Sequence, residues 1–429
     1  MKAFLAIFLL STFALYGQPL QVKVNAKHAI LMNADSGEVL FDKKGDERAP
    51  PASLTKIASF LYATEKYRGD FGEKVTPSSA CLKMMNKSVK ISHNYNDPAY
   101  FLEPDGTHYW IKKGERLTFE DLLYGMMLSS GNDASNTIAY HVSGEIPKFV
   151  KGLNQYIKAL GCRDTHFTNP HGLHHPKHYS TAYDIALITQ AALKNDLLRQ
   201  VTSTRQHMRE MTNLQSTKVV KNKDLLIQPG KFFYPQAVGM KTGYHANAGY
   251  TYSGVAKNGK RTLIAVLLGC ETPYDRFRDA IRLFEAAFSE EKEERILFNR
   301  EENLFSREIK GGSGPLSATL QEDISIAYYP SEEPDITIEL SWQHLKPPIQ
   351  KGDHVGSLNI LNGRGKVIES SPLIANTSVN HGGLGIVIAA IHGEWVCPQD
   401  FQKILIVMLV FGVILTLYTL YRIEQKKKS

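Results

Sequence analysis

Strand-like segments stand at the two ends of a long helical stretch, and this spacing limits the folds open to the chain more than any other feature. His28 to Asp42 reads as a hairpin, in which Ala29-Ile30-Leu31-Met32 meets Val39-Leu40-Phe41 across the turn Asp35-Ser36-Gly37. Far downstream, Val238 to Tyr244, Gly249 to Ala256 and Arg261 to Leu268 read as an antiparallel meander, with Asn258-Gly259 as its second turn. Between them, Phe119 to Leu128, Ala134 to His141, Phe149 to Leu160 and Ala182 to Leu193 carry helical patterns. A helix from Asp275 to Phe288 follows, with Phe277, Ile281, Phe284 and Phe288 on one face. Early strands, a helical middle and late strands suggest a single sheet that both ends of an α/β domain complete.

The charged segment Ser289 to Glu302 reads as a boundary. Beyond it the pattern changes to short alternating strands such as Ile324 to Tyr329, Ile336 to Leu340 and Val355 to Ile360. Turns rich in Gly, Pro and Asn separate them, which predicts a small all-β module over about 300–393. The 429 residues have room for two to three domains, and 43% apolar content supports a real core. A formal charge of +7 is mild, and part of it sits in Lys426, Lys427 and Lys428. With no basic patch interleaved with aromatics, nucleic acid is not an expected partner. Cys81, Cys162, Cys270 and Cys397 lie far apart and form no C-x-x-C pair, so neither a zinc site nor a disulfide framework is implied.

Both ends carry address information. Met1 and Lys2 precede the mostly apolar run Ala3 to Leu15, which has the build of a secretory signal and predicts removal of residues 1–17. Ile404 to Tyr421 is apolar and uncharged over 18 residues, long enough to be a transmembrane helix. Trp395 and Lys403 precede it, and Arg422 with the lysine run closes it, which predicts a cytoplasmic tail over 422–429. The expectation is an exported body, with a first domain over 24–290, tethered to the cytoplasmic membrane and facing the periplasm.

Three short motifs carry chemistry. In Ser53-Leu54-Thr55-Lys56, positions i and i+3 share a helix face, so the lysine amine lies beside the serine hydroxyl. A serine hydroxyl is a poor nucleophile until a neighbour takes its proton. Lysine can take it only if burial and a nearby cation lower its pKa. In Ser130-Gly131-Asn132, the serine can relay a proton and the asparagine amide can hold a substrate carbonyl. In Lys241-Thr242-Gly243, on the first strand of the late meander, lysine attracts a carboxylate, threonine can bond to it, and glycine lets backbone approach a ligand. The N–H groups of Ser53 and Tyr244 can pair as an oxyanion hole.

Each motif alone is an ordinary helix, turn or strand end. Together and in this order they are the signature set of serine β-lactamases and penicillin-binding proteins. The surrounding segments narrow the resemblance: Asn33 to Leu40, Pro51 to Lys56, Met126 to Ala134, Asn169-Pro170-His171-Gly172-Leu173, Ser180-Thr181-Ala182 with Asp184, and Gly239 to Tyr244. Over roughly residues 28–290 the chain resembles low-molecular-mass D-alanyl-D-alanine carboxypeptidases. Lys351 to Gly356 is similar to the β-rich tail domain that many of them carry.

The resemblance implies a five-stranded antiparallel sheet between helical clusters, followed by the β module. It also implies Ser53, Lys56 and Ser130 as catalytic residues, and Asn132, Lys241, Thr242, Gly243 and Tyr244 as substrate-binding ones. Peptidoglycan stem peptides would be the substrate and β-lactams covalent inhibitors, with no cofactor or metal. A transpeptidase, an endopeptidase or a non-catalytic envelope-binding protein are the alternatives.

Other residues receive plainer readings. His166, His171, His174, His175 and His178 crowd one loop; the resemblance explains His171 as a loop element, and the rest read as a solvated turn around Pro176 rather than a metal site. Asp184 could orient a catalytic group but reads as a helix-start acid that positions its loop, and Arg276 could meet a substrate carboxylate but reads as one half of a surface ion pair. The segment Asn213 to Phe233 is long and basic, a linker without an evident role. No E-x-x-L-N stretch follows Ser130-Gly131-Asn132, which argues against efficient β-lactam hydrolysis.

Overall fold

The computed structural model describes residues 18–383, together with 9–10, 409–410, 413–414 and 416–418. It divides into two units, Gln18–Glu290 and the residues from Glu291 on together with those before Gln18.

In the first unit the hairpin and the meander do join. The strands β1 (His28–Asn33), β2 (Val39–Lys43), β3 (Ala237–His245), β4 (Gly249–Lys257) and β5 (Thr262–Cys270) form one antiparallel sheet in the order β2-β1-β5-β4-β3. Leu31 lies opposite Phe41 on one side and Ala265 on the other, and Lys241 lies opposite Ser253. Successive strand residues face opposite sides. Ile30, Met32, Ile264 and Val266 pack into the core beneath the helices, whereas Ala29, Leu31, Ala265 and Leu267 pack against Phe277, Leu283 and Phe284 of the helix Asp275–Phe288. Covered on both faces, the inner strands read as continuous apolar runs.

The helices α1 (Thr55–Lys66), α2 (Phe119–Met127), α3 (Asn132–Ser143) and α4 (Ala182–Ala192) lie in the first core. Every residue of α1 from Thr55 to Ala63 is buried. A helix enclosed on all sides shields even a charged side chain from water, which governs what Lys56 can do. Thr118 caps α2 by accepting from the Asp121 N–H, and Thr181 caps α4 by accepting from the Asp184 N–H. As the sequence suggests, Asp184 positions a loop: its carboxylate accepts from Asp164 N at 2.8 Å and Thr165 Oγ1 at 2.7 Å.

The second unit is all-β among its described residues apart from short helical pieces. One antiparallel sheet runs in the order Ile336–Trp342, His354–Asn362, Val367–Ala375, Pro315–Leu320, Leu304–Glu308, with Leu9–Leu10 beside the first of these. Leu316, Leu320, Leu358, Ile360 and Leu373 form its core.

Two segments differ from the sequence reading. The charged boundary holds a strand, Glu293–Phe298, paired with Ile324–Tyr328. The expected linker 213–233 is packed into the first domain: Lys218–Lys221 pairs with Gln206–Arg209, and Asn222 and Asp224 are buried. Among the described residues no helix is long and apolar enough to cross a membrane. The segment 404–421 lies largely outside those residues, as does most of 1–17. Cys81, Cys162 and Cys270 are buried and free, and Cys397 lies outside the described residues.

Candidate active site

Ser53 sits in a 3-10 turn, Ala52–Leu54, immediately before α1, so the candidate serine precedes the α-helix rather than lying within it. Ala52 takes a left-handed conformation, φ 49°, and turns the chain sharply into that position. Conformations of this kind cost a non-glycine residue on the order of 1 kcal/mol and persist where surrounding structure imposes them. Ser130 shares the property, with φ 65°.

Lys56 is fully buried, and its amine has three partners: Ser53 Oγ at 3.0 Å, Asn132 Oδ1 at 2.8 Å and the His171 carbonyl at 2.6 Å. Two of the three can only accept. A neutral amine has two N–H donors and one lone pair. With the donors given to Asn132 and His171, the lone pair is left facing the Ser53 hydroxyl. The pKa of Lys56 is driven well below the usual lysine value, first by burial and then by the cations Lys241 and Lys223. Geometry and electrostatics together equip Lys56 to accept a proton from the serine.

The partners of Lys56 are themselves fixed. Asn132 begins α3, and its backbone N–H donates to Thr107 O. Next to it, the Asp133 carboxylate accepts from Tyr109 N at 2.7 Å and Ile111 N at 3.0 Å. The His171 carbonyl belongs to a turn organised by Asn169, whose side chain accepts from Gly172 N and donates to Leu173 O. Ser130 is buried two residues before Asn132, and its hydroxyl makes no hydrogen bond among the described residues.

β3 closes the other side. A Cβ on Gly243 would lie 2.9 Å from Ser53 N and against Thr251 Oγ1, so only glycine lets the strand run this close to Ser53. Thr251 Oγ1 in turn donates to Pro51 O at 3.1 Å, tying the sheet to the turn. Lys241 is buried, and its amine donates to Thr242 O at 2.8 Å. Burial, Lys223 and Arg276 lower its pKa well below the usual value. Thr242 is buried and Tyr244, the next residue after the glycine, is exposed.

Arg276 is not half of a surface ion pair. It donates to Gly243 O at 2.9 Å and lies over the rings of Tyr250 and Phe277, held there by the start of the last helix of the domain. The histidine loop is a solvated turn only in part, with His166, Pro176 and Lys177 exposed. His171 and His178 are buried, and His178 Nε2 lies 2.9 Å from Thr55 Oγ1. Sequence reasoning also passed over Lys223 and Asp224. Asp224 accepts from Tyr252 OH at 2.9 Å. The glycine after His171 hinted at a backbone role, but nothing local marks Lys223 or Arg276.

A buried serine–lysine pair at the start of a central helix, facing a lysine-threonine-glycine strand, defines a serine acyl-transfer enzyme of the penicillin-recognising fold. Comparison with known proteins agrees. Residues 16–272 match the family Peptidase S11, D-alanyl-D-alanine carboxypeptidase, and residues 302–381 match the C-terminal domain of penicillin-binding protein 5. The chain is 33% identical over 374 residues to D-alanyl-D-alanine carboxypeptidase DacF of Bacillus subtilis (strain 168), covering 86% of this chain and 90% of that one. The solved structure of penicillin binding protein 5 from Haemophilus influenzae is similar in fold, with a TM-score of 0.58, 23% identity, and coverage of 85% of this chain and 100% of that one. The Streptomyces K15 DD-transpeptidase covers 63% of this chain and 99% of its own, with a TM-score of 0.54 and 25% identity. This chain belongs to the Peptidase S11 family of serine D-alanyl-D-alanine carboxypeptidases.

Proposed function

We propose that the chain removes the terminal D-alanine from peptidoglycan stem peptides through an acyl-enzyme on Ser53. The observation that carries this reading is the three-partner geometry of Lys56. Lys56 Nζ takes the Ser53 proton as Oγ attacks the carbonyl carbon between the two D-alanines. The N–H groups of Ser53 and Tyr244 hold the resulting oxyanion. The carbon–nitrogen bond breaks, and the proton passes by way of Ser130, together with Lys241, to the departing amine. Water then attacks the ester, gives its proton to Lys56, and releases the shortened peptide with Ser53 restored. Asn132 holds the peptide, and Thr242 binds the terminal carboxylate in the field of Lys241, Lys223 and Arg276.

The same serine takes β-lactams, whose amide resembles the scissile bond. The test is Ser53→Ala: D-alanine release from a muropeptide pentapeptide and labelling by fluorescent penicillin both vanish while the protein stays folded. Labelling that persists on another residue rejects the assignment. The likeness to a DD-transpeptidase favours a second reading, transfer of the acyl group to an amine. Cross-linked product instead of free D-alanine and tetrapeptide supports it.

We also propose that 1–17 is a signal and 404–421 a membrane span, placing the catalytic domain in the periplasm and 422–429 in the cytoplasm. The unbroken apolar stretch and the lysine run support this reading.

A further inference from the structure

Resting on the catalytic reading above, the positions along β3 fix the direction of the substrate. With the terminal carboxylate at Thr242 and the scissile carbonyl at the Tyr244 N–H, the peptide upstream of the two D-alanines runs past Tyr244 toward His245 and Asn247. The third residue of the stem is therefore the one that meets the far end of the strand.

What stands there is a small basic cluster assembled from three separate segments. The His245 ring lies 5.5 Å from the His174 ring, and Lys87 Nζ donates to Asn247 Oδ1 at 3.0 Å. Tyr95, in a left-handed conformation with φ 55°, sets its ring at 5.6 Å from both His174 and His175. His174 Nδ1 is buried and has no hydrogen-bond partner among the described residues. Lys87 has no carboxylate partner among them either. The neighbouring acids are engaged elsewhere: Glu103 with the buried Lys90 at 3.0 Å, and Asp97 with His93 at 2.8 Å. The ammonium of Lys87 depresses the pKa of both His174 and His245, after the larger effect of burial, which places all three groups within electrostatic reach of one another.

We propose that this cluster selects stem peptides whose third residue ends in a carboxylate, as in meso-diaminopimelate, over those with lysine there. A carboxylate gains Lys87 and an imidazole donor, whereas a lysine ammonium meets an unneutralised cation.

The experiment compares D-alanine release from three pentapeptides differing only at the third residue: meso-diaminopimelate, L-lysine and Nε-acetyl-L-lysine. The expected kcat/KM for diaminopimelate exceeds that for lysine by about tenfold, with acetyl-lysine between them. Lys87→Glu inverts the order of diaminopimelate and lysine, and Lys87→Gln brings them together. Fluorescent-penicillin labelling of Ser53 reports that each variant is folded, and the readout is the ratio between peptides. Equal rates for the three peptides with D-alanine still released, or ratios unmoved in both folded Lys87 variants, overturn the subsite and leave the catalytic reading standing. Absence of D-alanine release from every peptide overturns the catalytic reading, and the subsite with it.

Discussion

Gly172 and Ala52 meet so closely that a side chain on the glycine would overlap the carbonyl oxygen of Ala52. Gly172 also has φ +91°, where a Cβ is strained whatever the space. The residue before it supplies the carbonyl that binds Lys56, so any displacement of this turn moves the base. Gly172→Ala is expected to cost about 2–4 kcal/mol of stability and to slow acylation by penicillin at least tenfold. Denaturant unfolding and stopped-flow acylation check this; an unchanged acylation rate contradicts it.

The two buried lysines separate by role. Lys56→Arg keeps the charge but loses the proton acceptor, because a guanidinium does not deprotonate in this range. Acylation of Ser53 should fall to background. Lys241→Arg should retain a measurable part, since its role is electrostatic. In the wild type, the active form of Lys56 is the neutral amine, so acylation is lost as pH falls through its lowered pKa. Equal residual acylation in the two variants contradicts this division.

Asp224 makes the fold itself sensitive to pH. Burial pushes its carboxyl up to about 6, whereas an unfolded aspartate titrates near 4. The folded state therefore holds the proton more tightly, and its contribution to stability is full below about pH 4 and lost as pH rises through about 6. The change is worth on the order of 3 kcal/mol. Asp224→Asn, whose amide oxygen can still accept from Tyr252, should gain about 1–3 kcal/mol over wild type at pH 8 and nothing at pH 4. Parallel urea curves at the two pH values test it, and a gain of equal size at both rules the account out.

The proposed anchor predicts a fractionation result. At about 1.5 Å per residue, a helix over 404–421 reaches roughly 27 Å, close to the hydrocarbon thickness of a bilayer. The full chain should stay in the membrane fraction through high salt and alkaline carbonate. Deleting from Phe401 onward should release a soluble, active enzyme. Extraction of the intact protein by carbonate alone would place the segment on the surface instead.

The parts of this structure that could be read from the chain are those whose cause is local. The Asp35-Ser36-Gly37 and Asn258-Gly259 turns fix strand neighbours within a few residues, so the hairpin and the meander were visible. Ser53 and Lys56 are three positions apart, and a 3-10 turn running into the α-helix brings them together. Arg276, His178 and Asp224 behaved otherwise. Each is a polar residue in an unremarkable segment, made important by burial against groups far along the chain: Gly243 for Arg276, Thr55 for His178, Tyr252 for Asp224. Local pattern carries no trace of such partners. The segment 213–233 was misread for the same reason, because its basic surface residues hide the buried Asn222 and Asp224 between them.

β3 ends its sheet, and an exposed terminal strand is a template on which any other chain can polymerise. Most proteins cover such a margin or load it with charge. An enzyme that reads an extended peptide along that strand has to leave it open. Here the opening is short: the His174–His245 contact and the Lys87–Asn247 bond stand where β3 finishes, and the Ser53 turn lies against Gly243. These groups shorten the stretch of β3 on which a neighbouring chain could pair, so the residues proposed to frame the substrate also limit aggregation along the same margin.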